Sequence, residues 1–225
     1  MDIFYSVVNF FVRGGVFMFP ILLVAAIGTA IAIERFVTLS RMRAANRGAW
    51  SRVEPVLASG DFEKAREITS KDDTAISRLL SMGLALQGAV RRRDDVEKAM
   101  EESMMEIIPK LEKRTHYLAT FANLATLLGL LGTVSGLIHA FSAVATVNPA
   151  EKANLLSASI SEAMNCTAFG LMTAVPLLFI HALLQTKTTE LIDSLETASV
   201  KFMNSLANRQ AARVQSHQLQ IAKAG

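Results

Sequence analysis

Charge is what this sequence is short of. Only 19% of its 225 residues are Asp, Glu, Lys or Arg, below the quarter or so typical of a soluble domain. The shortage is local. Gly15 to Ile33 carries no charged side chain, none occurs from Thr115 to Ala150, and between Lys152 and Lys187 Glu162 stands alone. Cysteine is reduced to Cys166, which excludes a disulfide framework and any cysteine-rich metal site. There is no nucleophile–base pair, no P-loop and no metal-ligand cluster, so no enzyme, cofactor or metal is expected. Internal repeats and low-complexity segments are also missing.

What is present fills those gaps with apolar residues. A hydrocarbon core takes roughly 20 of them in a helix, and lipid offers backbone groups no water, so each window is expected to be a spanning helix. The competing reading is three wholly buried core helices in a soluble chain. Basic residues set the orientation: 16 of the 23 Lys and Arg lie between Glu34 and His116 and five follow Gln185, leaving Arg13 and Lys152 on the other side. The positive-inside rule then puts the N-terminus outside and the C-terminus in the cytoplasm. The first span has its positive flank after the apolar run, unlike a cleaved signal peptide. Fourteen acids interleave with the basic residues of the long loop, so nucleic acid is not an expected partner; membrane lipid is.

The expected organisation is all-α and polytopic. An interfacial N-terminal segment (1–14) precedes a first span at 15–33, and a cytoplasmic helical region covers 34–116. A second span at 117–147 and a periplasmic loop at 148–154 lead to a third span at 155–184 and a cytoplasmic helix and tail at 185–225. Phe4, Tyr5, Phe10 and Phe11 suit the outer interface. In the cytoplasmic region Asp61 can cap a helix beginning at Phe62, and Asp72-Asp73-Thr74 marks a second start. A third start at Asp94-Asp95 precedes Val96, Met100, Met104, Ile107 and Leu111 on one face. No terminator separates this helix from the second span, although Pro109 can kink it. No Gly or Pro lies between Pro176 and Gly225, so the third span is expected to run on into the cytoplasm. From Leu155 to Leu206 this makes roughly 80 Å of helix, with Leu184, Thr188, Leu191, Leu195, Ala198 and Phe202 as a seam for a neighbouring helix.

The second and third spans are not built as plain anchors. Ala119, Ala122, Thr126, Gly129, Thr133, Gly136 and Ala140 recur at steps of three and four, and Ala163, Thr167, Gly170 and Ala174 repeat the pattern. Gly132 and Gly136 form a small-xxx-small pair. Such faces let backbones approach closely, so Gly129, Gly132, Gly136 and Gly170 are read as packing positions. Thr133 and Thr167 either share that packing role or present hydroxyls to an ion pathway. Glu162, the acid within a spanning window, costs at least ~2.5 kcal/mol at mid-membrane. It is either a pathway or assembly group, or an interfacial carboxylate reaching outward. His139 and His181 sit near opposite ends of their spans as lone interfacial histidines.

The run Leu127-Leu128-Gly129-Leu130-Leu131-Gly132-Thr133-Val134-Ser135-Gly136-Leu137-Ile138, with Ala140-Phe141, resembles the MotA/TolQ/ExbB proton-channel family. So does Ile160-Ser161-Glu162-Ala163-Met164-Asn165-Cys166-Thr167-Ala168-Phe169-Gly170-Leu171 with Val175-Pro176, and the three-span layout fits the TolQ/ExbB branch. One departure is Thr126, where the family commonly has proline. The resemblance implies a homopentameric ring in a bacterial inner membrane, enclosing a dimer of ExbD/TolR-like single-span partners that carry a membrane aspartate. It also implies that Thr133 and Thr167 face that aspartate, that Glu162 is the acidic third-span position, and that a TonB- or TolA-like protein receives the work. The implied function is proton conduction coupled to TonB-dependent import or Tol-type envelope work. A structural membrane scaffold, a sodium-driven subunit and a flagellar-type stator stand as alternatives.

Overall fold

The computed structural model describes residues 14–87 and 93–224. The aromatic N-terminal segment and Arg91-Arg92 lie outside them. Among the described residues there are six helices: α1 Met18–Ala58, α2 Phe62–Ser70, α3 Ala75–Leu86, α4 Arg93–Glu112, α5 Thr115–Thr146 and α6 Pro149–Ala224. Three stretches are long and apolar enough to cross a membrane by length and composition: α1, Arg93–Ala145 and Pro149–Arg209. The chain divides into two compact units, one of residues up to Phe36 with Arg114–Gln185, the other of Val37–Lys113 with the chain from Thr186 onward. We call them the apolar unit and the charged unit.

In the charged unit, local chemistry sets the helix ends. Helix α1 stops in a Schellman motif: Gly60 adopts φ +77°, its N–H donates to Leu57 O, and the Asp61 N–H donates to Val56 O. The Asp61 carboxylate then accepts the Lys64 N–H and opens α2, as its position before Phe62 predicts. Thr74 does the same for α3 through the Ser77 N–H at 3.3 Å, and Asn46 of α1 accepts the Ile76 N–H.

The core of this unit is built from large side chains. Leu39, Leu79, Leu80, Met100, Leu111, Leu191, Leu195 and Phe202 are fully buried. The Phe62 and Phe202 rings meet edge-on at 6.2 Å. The five positions of the expected α6 seam that fall in this unit, Thr188, Leu191, Leu195, Ala198 and Phe202, are buried, as is Leu184 in the apolar unit. The α4 face differs by one residue: Val96, Met100, Ile107 and Leu111 are buried, but Ser103 takes the place expected of Met104, which is half-buried. A small residue at that turn lets the helix approach its neighbours more closely than a thioether allows.

In the apolar unit, α5 begins after a break that no residue type announces. Arg114 holds φ 65°, a left-handed conformation normally left to Gly or Asn, and its guanidinium pairs with Glu34 at 3.0 Å. The helix thus breaks at Lys113-Arg114 and stays continuous through Pro109. Only Val147 and Asn148 separate α5 from α6. Pro149 starts α6 at the position where a missing N–H costs nothing, so residues 149–154 are helical. The buried residues of this unit are mostly small, among them Ala122, Ala125, Ala140, Ala163, Cys166 and Ala174, while Phe19, Leu127, Phe141 and Phe179 are largely exposed.

Candidate functional site

Helices α5 and α6 meet backbone to backbone. A methyl group on Gly170 would lie 2.7 Å from the Ala125 carbonyl oxygen and 3.1 Å from the Gly129 Cα, and one on Gly129 would lie 3.2 Å from the Thr167 Cα. The first is too close for any real Cβ, so Gly170 must be glycine unless the backbone shifts, while a methyl at Gly129 would be tight against the α6 backbone. Gly136 is packed against Ala163, where an added methyl would come within 2.8 Å of its Cβ, and Gly132 lies against the Cys166 thiol. All four glycines read as packing positions are therefore at the interface.

That approach sets Thr167 of α6 against Gly129 of α5. The Thr167 hydroxyl donates to the Gly129 carbonyl across the interface at 2.8 Å. Gly129 is one helical turn before Thr133, whose own hydroxyl donates to Leu130 O at 2.6 Å. Both threonines are half-buried. The Thr126 hydroxyl likewise bonds back to Ala122 O at 3.1 Å, and α5 runs unbroken through it. Proline there would remove the N–H that helical geometry offers the same carbonyl. Thr126 itself faces out of the packed face, whose buried members nearby are Ala122, Ala125, Gly129 and Gly132.

Glu162 lies one turn before Cys166 on α6 and is exposed on the isolated chain. Its carboxylate rests against the backbone of Gly15, in the turn that precedes α1. Together they line a cavity of about 210 Å³ that also receives Ser135, His139 and Ser159. The structure thus has Glu162 and His139 lining one cavity. His181 does not line it. No group of three or more His, Cys, Asp or Glu side chains able to hold a metal occurs among the described residues. Sequence reasoning missed Gly15, Ser135 and Ser159, since a glycine turn and two serines carry no signal until α5 and α6 are placed against them.

Residues 71–197, more than half of the chain, match the family described as the MotA/TolQ/ExbB proton channel family. The chain is 31% identical over 191 residues to an ExbB-like biopolymer transport protein of Synechocystis sp., covering 81% of this chain and 72% of that one. It is 26% identical over 195 residues to the biopolymer transport protein ExbB of Neisseria gonorrhoeae, covering 81% and 86% of the two chains. A shorter match of 79 residues, 35% of this chain and 34% of its counterpart, is 39% identical to the Tol-Pal system protein TolQ of Haemophilus influenzae. With its helical architecture, its closely packed glycines and these matches, the chain belongs to the MotA/TolQ/ExbB proton channel family.

Proposed function

We propose that this chain is the ion-conducting subunit of a bacterial inner-membrane motor that uses the proton motive force for TonB-dependent import or Tol-type envelope work. In this reading five copies form a ring around two ExbD/TolR-like single-span partners, with a TonB- or TolA-like protein as recipient. The N-terminus is periplasmic and the C-terminus cytoplasmic, as the sorting of the basic residues supports. The observation that carries the proposal is the pairing of Thr167 with the Gly129 carbonyl one turn from Thr133, in a chain of this family. In its support, both hydroxyls bond to carbonyls of neighbouring α5 residues, Gly129 and Leu130, along a face of small residues.

The chemistry follows from the cost of charge in lipid. A bare aspartate of the partner is expensive in hydrocarbon. Taking up a proton removes that cost and lets the neutral form pass an apolar wall, while Thr133 and Thr167 offer it hydrogen bonds and Glu162 supplies an acid along the route. Ion flow then becomes movement of one component within the other.

The test is proton flux into vesicles holding this chain and its co-expressed partner, with native mass spectrometry counting the ring. Thr133→Val and Thr167→Val keep shape and remove the hydroxyl; flux is expected to fall while rings assemble. A scaffold reading has one observation in its favour: both hydroxyls already have carbonyl acceptors. It predicts assembled variants with unchanged flux, which would refute conduction through this site.

A further inference from the structure

The Glu162 carboxylate sits over bare backbone. A methyl group at Gly15 would overlap Glu162 Oε1 and lie 3.1 Å from Cδ and 3.3 Å from Cγ. Gly15 also holds φ +75°, a conformation L side chains rarely adopt. The positive φ calls for glycine, and a side chain there would in addition push the flexible Glu162 carboxylate aside. Gly60 has the first without the second: its φ is +77° and nothing lies within 4 Å of where a Cβ would be.

Beyond Gly15 the carboxylate borders the cavity of about 210 Å³ lined by Ser135, His139 and Ser159. A water occupies about 30 Å³ of liquid and needs two to four polar partners. Two hydroxyls, an imidazole and a carboxylate meet that need for several waters.

We propose that Gly15 is a positioning residue that seats the Glu162 carboxylate, and that this cavity is a hydrated port where the ion reaches or leaves it. The inference rests on the conduction reading above. It concerns a residue outside the stretch matched by the family, 71–197. A side chain at position 15 displaces the carboxylate, and an acid shorter by one methylene withdraws from it. Shortening residue 162 does nothing for backbone strain at residue 15.

The experiment measures proton flux per assembled ring in vesicles, with the partner co-expressed and rings counted by native mass spectrometry. Gly15→Ala is expected to lower flux at least about tenfold relative to wild type. Combining it with Glu162→Asp is expected to restore flux to within about threefold of Glu162→Asp alone, and Gly60→Ala stays within about twofold of wild type. Wild-type flux in Gly15→Ala, or a loss that Glu162→Asp does not relieve, overturns the seat. If Gly15→Ala fails to assemble, assembly of the double variant supports the seat, and failure of the double variant where Glu162→Asp assembles overturns it. The port has its own variant, His139→Leu, for which a tenfold fall is expected and wild-type flux is contrary. A wild-type complex that carries no protons sinks the conduction reading and the port with it, while the assembly rescue still decides the seat.

Discussion

The two units of this chain solve helix packing by opposite means. In the charged unit, water drives large apolar side chains together, and Phe202, Leu79, Leu80, Met100 and Leu195 are fully buried. Its ion pairs, such as Arg43–Glu190 at 2.7 Å and Arg78–Asp73 at 2.7 Å, are well exposed and add little. In the apolar unit the α5–α6 contact is made by small residues, while Met18, Ile21, Leu118 and Leu184 are its fully buried large side chains. Phe19, Phe141 and Phe179 are largely exposed, whereas Ala122, Ala125, Ala163 and Ala174 are buried. Lipid gives no hydrophobic reason to hide a phenylalanine, so contact comes from backbone proximity and from a hydroxyl on a carbonyl. When the surrounding solvent changes, large side chains such as Phe19, Phe141 and Phe179 can stay exposed while alanines and glycines line the helix contact.

That contrast can be broken by substitution. Phe202→Ala removes the ring packed on Phe62 and is expected to cost about 3–5 kcal/mol, read by thermal unfolding of the detergent-solubilised protein. A loss below about 1 kcal/mol would mean the charged unit does not rely on large side chains. Gly170→Ala forces a methyl to 2.7 Å from the Ala125 carbonyl oxygen, for an expected loss of about 1–3 kcal/mol. Gly48→Ala, with nothing within 4 Å, should instead stabilise α1 by up to about 1 kcal/mol. If the two alanines behave alike, close approach is not what holds α5 to α6. Thr167→Val deletes the bond to Gly129, worth about 0.6 kcal/mol on average for such a contact in lipid, and a melting curve resolves it only in replicate.

The smallest effect is expected at Asp73, whose carboxyl is held below the usual range by the hydrogen bond from Arg78 and by its charge. A lowered folded-state pKa stabilises above the ordinary carboxylate range and fades as pH falls through the lowered value. Asp73→Asn should therefore sit slightly below wild type in melting temperature at neutral pH, with the gap closing in acid. A gap that widens in acid reverses the sign and contradicts the pairing.

Much of this was legible in the chain. Asp61 and Thr74 cap their helices because a cap acts within three residues, and the α6 seam from Leu184 to Phe202 is buried because spacing alone defines a helix face. The period of small residues located the α5 face only in part, since it includes Thr126, which is exposed, and omits the buried Ala125 and Gly132. The break at Arg114 was not legible, since its left-handed residue is neither Gly nor Asn and its ion-pair partner, Glu34, is 80 positions away. Nor could periodicity choose Ser103 over Met104, because neighbours on a helix differ by a rotation that only the opposing surface resolves. The acceptor for Thr167 and the residue beneath Glu162 likewise depend on how three helices cross.

One consequence attaches to the thiol wedged against Gly132. Cys166 is buried, is the only cysteine in the chain, and touches the α5 backbone at a position where no side chain intervenes. It therefore serves as a native gauge of helix separation. The rate at which a maleimide alkylates it reports how often α5 and α6 part, and the wild-type protein carries this reporter without any engineered label.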